Sequence, residues 1–472
     1  MTDRRRWAIL GLLCLAAFMI VLDTATVLAA LPAIQADLDM SPSELQWVVT
    51  GYTLAFGGFM LLCGRLADRF DRRAVLMIGV LAFTVTSVIC GLAWSGPVLV
   101  VARFLQGVAA ASVFPAALSL LLKAFPEGVD RNRALGIWSA VGGVGGVAGL
   151  AIGGPLTDGP GWEWIFYINA PVGLVVLVFA RLWLPSGARA GERLPFDVKG
   201  ALMATVGLVL VVWAISSAPD NGWLHPMSLV PFAAGVLLLG LFWRGQHRIP
   251  QPLVPPRLFR SRIITGGNLV LVIAGITVSG TWFIVTLFTQ GVLNYTATEF
   301  SLLLTAPAGA SILGAIVGQR LVSRWSIRAV GVVSMSLIAV GLFAMTPLSH
   351  EAAFWQLLVP TTVIALAFGA GAVAASIAAL TGVPEEDSGI ASGVQESAFQ
   401  IGTPLGTAIL VTVAVSVTGV AGTGVPATVA GYRAAFLVAG IFAVVGAVIA
   451  STLFKTRAVA APTEESVAAS AK

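Results

Sequence analysis

Three ionisable side chains stand in stretches of sequence that offer them no water. Asp23 lies inside the apolar run 7–29, Arg103 inside 98–122 and Glu396 inside 390–418. A charge at such depth in hydrocarbon is costly, so it is kept for a partner or for work. A carboxylate there can exchange a proton: desolvation favours the neutral acid, a nearby cation favours the anion, and a proton or cationic ligand can switch the two. Asp23 sits roughly six residues from the outer end of its run, about 9 Å at helical rise, and Arg103 lies roughly five residues in from the same face. The two are expected to face one another or to share a polar cavity. Plainer readings are an ion pair that pins two helices and an arginine that snorkels to headgroups. Glu396 lies roughly six residues from the inner end of its run, with Gln395 and Gln400 nearby. It is a candidate for a proton or a cationic ligand; the alternative is a water-facing residue at the inner mouth.

Other patterns carry less chemistry. Residues 136–154 contain eight glycines, and Pro155 follows. Small residues of this kind let helices approach, slide or bend. Gly143, Gly145 and Gly149 mimic a dinucleotide fingerprint, but no strand precedes them and they lie in an apolar span. Cys14, Cys63 and Cys90 have neither CxxC nor metal spacing and read as small buried hydrophobes. There is no HExxH, GxSxG or paired-carboxylate site, so neither an enzyme nor a metal or cofactor is expected. Glu299 follows Thr296 as a helix cap, and Asp197 and Asp220 read as caps or loop residues.

The elements that hold these residues follow from composition. The chain has 472 residues, is 57% hydrophobic and 10% charged, and has a mean hydropathy of +0.93. This is an all-α polytopic membrane protein. Fourteen spans are read at roughly 7–29, 46–65, 74–93, 98–122, 133–156, 164–184, 199–217, 227–243, 263–290, 300–320, 329–347, 354–380, 390–418 and 432–454. Of the 27 Lys and Arg, all except Arg103 and Arg433 fall on one side, which predicts a multi-pass protein of the cell membrane with both termini cytoplasmic. The net charge of +5 is therefore a topology signal, and nucleic acid is not an expected partner. The first run is too long for a signal-peptide core and contains Asp23, so it reads as a retained helix. An arginine-rich, lysine-poor usage hints at a bacterial source.

Residues 64–73, GRLADRFDRR, form a short charged link between two spans. Arg65, Leu66, Arg69 and Arg73 recur at one constant offset as Arg320, Leu321, Arg324 and Arg328, while Asp68 and Asp71 become Ser323 and Ser326. Gly136, Ile137 and Ser139 are echoed by Gly389, Ile390 and Ser392, which places Glu396 at the position of Gly143. A duplicated chain with a 6 + 2 + 6 pattern follows. Its parts are an N-terminal six-helix bundle (1–184), two linker helices with cytoplasmic links (185–262), a C-terminal six-helix bundle (263–455) and a disordered tail (456–472). Gly64, Asp68, Arg69, Arg72 and Arg73 are gate candidates: such charges can pair across the halves, or sit against helix ends, only when the inner mouth is shut. Tyr52, Trp138, Trp213, Trp282, Gln395, Phe399 and Gln400 are candidates for a substrate cavity, although the aromatics among them commonly serve packing.

These residues together resemble the major facilitator superfamily, and within it the fourteen-helix drug:proton antiporters. Gly64 to Arg69, continuing to Arg72 and Arg73, is similar to the signature between helices 2 and 3. The segment from Leu22-Asp23-Thr24 through Ile34 resembles that subfamily's first-helix motif. Arg103 to Gly107 resembles the fourth-helix motif, whose arginine the family links to proton coupling. Gly149, Gly153, Gly154 and Pro155 resemble the fifth-helix antiporter motif, and residues 162–171 and 255–259 also match. The resemblance implies two six-helix bundles plus two extra spans, rocking about a midplane cavity as a monomer. It implies efflux of amphipathic, cationic or aromatic compounds against protons, with the proton gradient in place of any cofactor. A lipid, siderophore or metabolite exporter of the same fold, and a membrane sensor that moves nothing, are the competing expectations.

Overall fold

The computed structural model describes residues 3–125, 128–184, 197–249, 252–384 and 388–454, the side chains at 3, 61, 65, 68, 69, 129, 132, 139, 220, 388 and 389 excepted. The expected tail, most of the first long link, and the side chains of Arg65, Asp68, Arg69, Ser139 and Asp220 lie outside the described residues. Within them the chain is helical: α1 (Asp3–Asp37), α2 (Pro42–Arg69), α3 (Arg72–Gly91), α4 (Gly96–Ala124), α5 (Val129–Asp158), α6 (Trp164–Tyr167), α7 (Asn169–Trp183), α8 (Val198–Asn221), α9 (Pro226–Gln246), α10 (Arg262–Gly291), α11 (Ala297–Arg324), α12 (Ile327–Ala344), α13 (Phe354–Leu380), α14 (Ser388–Ala421) and α15 (Val425–Leu453). Among the described residues thirteen spans, with α6 and α7 counted as one, are long and apolar enough to cross a membrane. The apolar run of α2 supplies the fourteenth.

Most helices overrun the expected spans because hydropathy marks hydrocarbon, whereas the helix itself ends at caps; α3 and α12 instead start before their spans and end short of them. Those caps expose the duplication. Ser41 and Glu44 form a capping box on α2, and Thr296 and Glu299 form the same box on α11. Asp39 and Asn294, each two residues before its cap, have φ of 49° and 56°, a left-handed conformation that Asp and Asn tolerate. Asp71 caps α3 through Arg73 N at 3.1 Å, and its counterpart Ser326 caps α12 through Ala329 N at 3.1 Å. The change of acid to serine between repeats keeps the cap while removing a charge.

Packing repeats the same relation. α5 lies on α1 as α14 lies on α10, and α2 lies on α4 as α11 lies on α13. The halves meet along two seams, α5 with α11 and α2 with α14. The hairpin α8–α9 stands outside both halves, with α8 against α2 and α14. Trp213 packs on Trp47 at 5.7 Å between centroids, and Thr412 Oγ1 donates to Ile215 O at 2.8 Å. Asp197 caps α8 through Gly200 N and accepts from Gln246 Nε2 at 2.6 Å, tying α8 to α9.

The face carrying the ends of α1 and α15 is here called the terminal face, the other the distal face. At the distal face the halves are closed. Asp158, at the end of α5, accepts from Ala297 N (3.2 Å), Thr298 N (2.8 Å) and Thr298 Oγ1 (2.6 Å) at the start of α11. Gln290 Nε2 donates to Ala29 O at 3.1 Å, joining α10 to α1. One apolar core runs from the distal part of the first half, including Ala30, Leu31 and Ile34, into the second half. Toward the terminal face the first half closes on itself, with Ile9, Leu13, Ala116 and Leu121 in a separate core. Among the described residues the halves are thus sealed distally, while toward the terminal face the first half keeps a core of its own.

Candidate functional site

Asp23 is fully buried, and so are its neighbours. Arg103 Nη1 donates to Asp23 Oδ2 at 2.6 Å. Gln106 Nε2 at 3.0 Å and Asn169 Nδ2 at 2.8 Å both donate to Asp23 Oδ1. Arg103 is itself satisfied by Val48 O at 3.0 Å and Gln106 Oε1 at 2.6 Å, and its guanidinium lies 4.2 Å from the Tyr52 ring centroid. Gln106 also reaches Ser87 Oγ at 2.7 Å. The site therefore gathers α1, α2, α3, α4 and α7 of a single half. A buried charge pair is stable only when so completely hydrogen-bonded, and removal of one partner costs about 3–5 kcal/mol.

Local sequence accounts for this convergence. Arg103 and Gln106 are three residues apart and share one helix face. Asn169 opens α7 where the expected span 164–184 is interrupted. Pro171 has no N–H to give to the carbonyl of Tyr167, so the regular ladder breaks there. Tyr167 then anchors the break by donating to Gly91 O at 2.7 Å.

Glu396 lies elsewhere, half-buried on α14, with Gln400 Nε2 donating to it at 3.2 Å. A Cβ on Gly57 of α2 would stand 2.8 Å from Gln400 Cβ, so this face of α14 is the one turned to α2. Glu396 belongs to the seam between halves and is not joined to Asp23. Gln395 donates to Ser376 Oγ at 2.9 Å, within the second half.

A cavity of about 160 Å³ lies between the halves, lined by Ala25 and Leu28 of α1, Gly146 and Leu150 of α5, Trp282 of α10, Leu304, Pro307, Ala308 and Ser311 of α11, and Ala365 and Phe368 of α13. Its walls are apolar and aromatic, with one hydroxyl and no carboxylate. None of Tyr52, Trp138, Gln395, Phe399 and Gln400 lines it. Tyr52 covers Arg103, Trp138 packs on Phe114 at 5.3 Å, and Phe399 backs the wall through Phe368 at 5.7 Å.

The fifth-helix glycines face α1 and α11. A Cβ on Gly149 would stand 2.7 Å from Ala25 Cβ and 2.8 Å from Leu22 O, one on Gly153 3.0 Å from Thr26 Cα, and one on Gly154 2.6 Å from Thr298 Cα. Gly402 and Gly406 of α14 meet Val272 and Ile276 of α10 in the same manner, the repeat of that seam. Pro155 lies within α5 near its distal end. At the loop motif, Gly64 approaches Pro115, and Arg73 Nη2 donates to Arg181 O at 2.7 Å, at the C-terminal end of α7 where a cation is favourable. Arg72 makes contacts of its own, while the Asp68 and Arg69 side chains lie outside the described residues. Arg433, the second distal cation, is held by Leu348 O at 2.7 Å and Pro347 O at 3.0 Å. Cys14, Cys63 and Cys90 are free and buried, and the described residues contain no cluster that could hold a metal.

Two repeated six-helix units around a mid-depth cavity, with a buried ion pair in one of them, define a multi-pass membrane transporter. The chain belongs to the Major Facilitator Superfamily, whose profile matches residues 13–407 and again 267–471. It is 36% identical over 471 residues to a puromycin resistance protein of Streptomyces alboniger, covering 97% of this chain and 93% of that one. It is 37% identical to a cephamycin export protein of Amycolatopsis lactamdurans, covering 94% and 92%. Among solved structures, a bacterial homolog of the human lysosomal transporter Spinster, inward-facing and unoccupied, superposes with a TM-score of 0.69 at 17% identity, covering 96% of this chain and 98% of that one.

Proposed function

We propose that this protein exports amphipathic compounds, cationic or aromatic in character, from the cytoplasm in exchange for protons. It works by alternating access in the cytoplasmic membrane of a bacterium, as a monomer and without an enzymatic step. The observation that carries the reading is the enclosed Asp23–Arg103 pair, whose acid lies on a helix that also lines an apolar cavity shared by both halves. Asp23 and the cavity residues Ala25 and Leu28 lie on the same helix, so a change in the charge of Asp23 moves the wall against which a substrate rests. The relatives named for antibiotic resistance and export support the direction and the class of cargo. Trp282 and Phe368 offer ring faces to an aromatic or cationic body, and Ser311 offers a hydroxyl. Glu396, on the seam, is assigned a second proton or a cationic substrate on its way to the cavity.

In this reading the terminal face is cytoplasmic, which matches its excess of basic residues, and the distally closed state is the one that takes up cargo from the cytoplasm. The protonmotive force acts through Asp23, with Arg103 as its counter-ion. The loop motif and its weaker repeat act as the inner gate, and the glycines on α5 let it slide past α1 and α11. The deciding experiment measures efflux of a fluorescent cation from vesicles at several imposed pH gradients, comparing the parent with Asp23→Asn. Loss of gradient-driven efflux is expected, and its retention would remove Asp23 from energy coupling.

A further inference from the structure

We propose that Asn169 and Gln106 are positioning residues of the proton site: their amides, both donated to one oxygen of Asp23, hold that carboxylate as an anion against Arg103 and set the pH range over which efflux runs. The inference rests on the proton-coupling role given to Asp23.

Arg103 engages only Oδ2, leaving Oδ1 to Gln106 at 3.0 Å and Asn169 at 2.8 Å. The orientation of both amides is determined by their surroundings. Gln106 Oε1 accepts from Arg103, which leaves its NH2 group to face Asp23 and Ser87. Asn169 Oδ1 is buried and has no hydrogen-bond partner. Leaving that atom bare is unfavourable, yet turning the amide over would set a carbonyl oxygen against the carboxylate. The contact of its nitrogen with Asp23 therefore outweighs the unsatisfied oxygen.

All three groups on Asp23 are donors, so a protonated Asp23 finds no acceptor for its own hydrogen. It can be neutralised only if one donor withdraws or the Asn169 amide turns over to offer its unpaired Oδ1 as the acceptor. Asn169 stands at the interruption between α6 and α7, the position in that span least held by the helical ladder. Uptake of a proton is thereby tied to a rearrangement of Asn169 or Gln106 about Asp23. The titratable groups turned to Asp23 are Arg103 from α4, Tyr52 from α2 and Cys90 from α3. On α5 none occurs between Arg133 and Asp158, on α7 none before Arg181, and on α10 none after Arg262.

The test is efflux from proteoliposomes as a function of pH for the parent, Asn169→Ala, Asn169→Gln, Gln106→Ala and Asp23→Asn. Removing a donor favours the neutral acid, so the pH midpoint of efflux should move in the alkaline direction by about one pH unit, with substrate KM unchanged. Asn169→Gln, which keeps an amide, should restore most of the shift. If Asn169→Ala does not reach the membrane, Gln106→Ala carries the same expectation. A loss by one factor at every pH, with the midpoint unmoved while Asp23→Asn is inactive, would overturn this inference alone. Gradient-driven efflux by Asp23→Asn would overturn the proton site with it.

Discussion

Replacing Asp158 with alanine should open the distal face. Its carboxylate accepts two main-chain N–H groups and one hydroxyl from the first turn of α11, so a residue of one half caps a helix of the other. Those first-turn N–H groups have no partner within their own helix. Loss of an acidic cap costs about 0.5–2 kcal/mol. The site is exposed and Thr296 and Glu299 still cap the same helix, which puts the value at the lower end, about 1 kcal/mol. The distally closed population should then fall roughly five-fold relative to the open one. Spin labels on Trp94→Cys and His350→Cys, in distal loops of the two halves, would report it by pulsed electron resonance, because the three native cysteines are buried. Thr298→Val, which removes only the hydroxyl, should shift the distribution less. Identical distance distributions for the parent and Asp158→Ala would refute the assignment of Asp158 as the contact that holds the distal face shut.

Three further outcomes follow from packing. A Cβ on Gly146 would meet nothing within 4 Å, so Gly146→Trp should leave thermal stability near that of the parent while abolishing drug efflux by filling the cavity. Gly149→Val has no such space beside Ala25 and Leu22 O, and overpacking of about 1–3 kcal/mol should appear as a lower melting midpoint in detergent. Asp197→Ala removes the α8 cap and strands the buried Gln246 amide. A loss of about 2 kcal/mol should lower the melting midpoint, and unchanged melting would refute the role of that contact in holding the hairpin.

The spans were legible because apolar runs and charged links alternate so sharply, and the meeting of Asp23 with Arg103 because both lie at one depth. The amides that complete the site were not. Gln106 lies three residues from Arg103 and Asn169 is a lone amide just ahead of Pro171, so each left a signal, but α7 is distant in sequence from α1 and nothing local says which helix it faces. The repeated caps at Asp39, Ser41 and Glu44 were likewise written in the chain, yet it was the arginine loop and the echo of Gly136 and Ile137 at Gly389 and Ile390 that drew attention to the repeat. Apart from Trp282, the cavity lining left little trace: Ala25, Leu28, Leu304 and Ala308 look like any other apolar residues of a spanning helix, and tertiary packing alone selects them. Of the aromatic candidates Trp282 lines the cavity, whereas Trp138, Trp213 and Phe399 fell into packing and Tyr52 into the cover over Arg103.

The placement of α8 gives the carrier a handedness in the plane of the membrane. One junction between the halves is roofed by an additional helix, whereas the junction beside the cavity, between α5 and α11, has no such roof. Neighbouring lipids therefore meet two unlike sides of a molecule whose core is nearly symmetric.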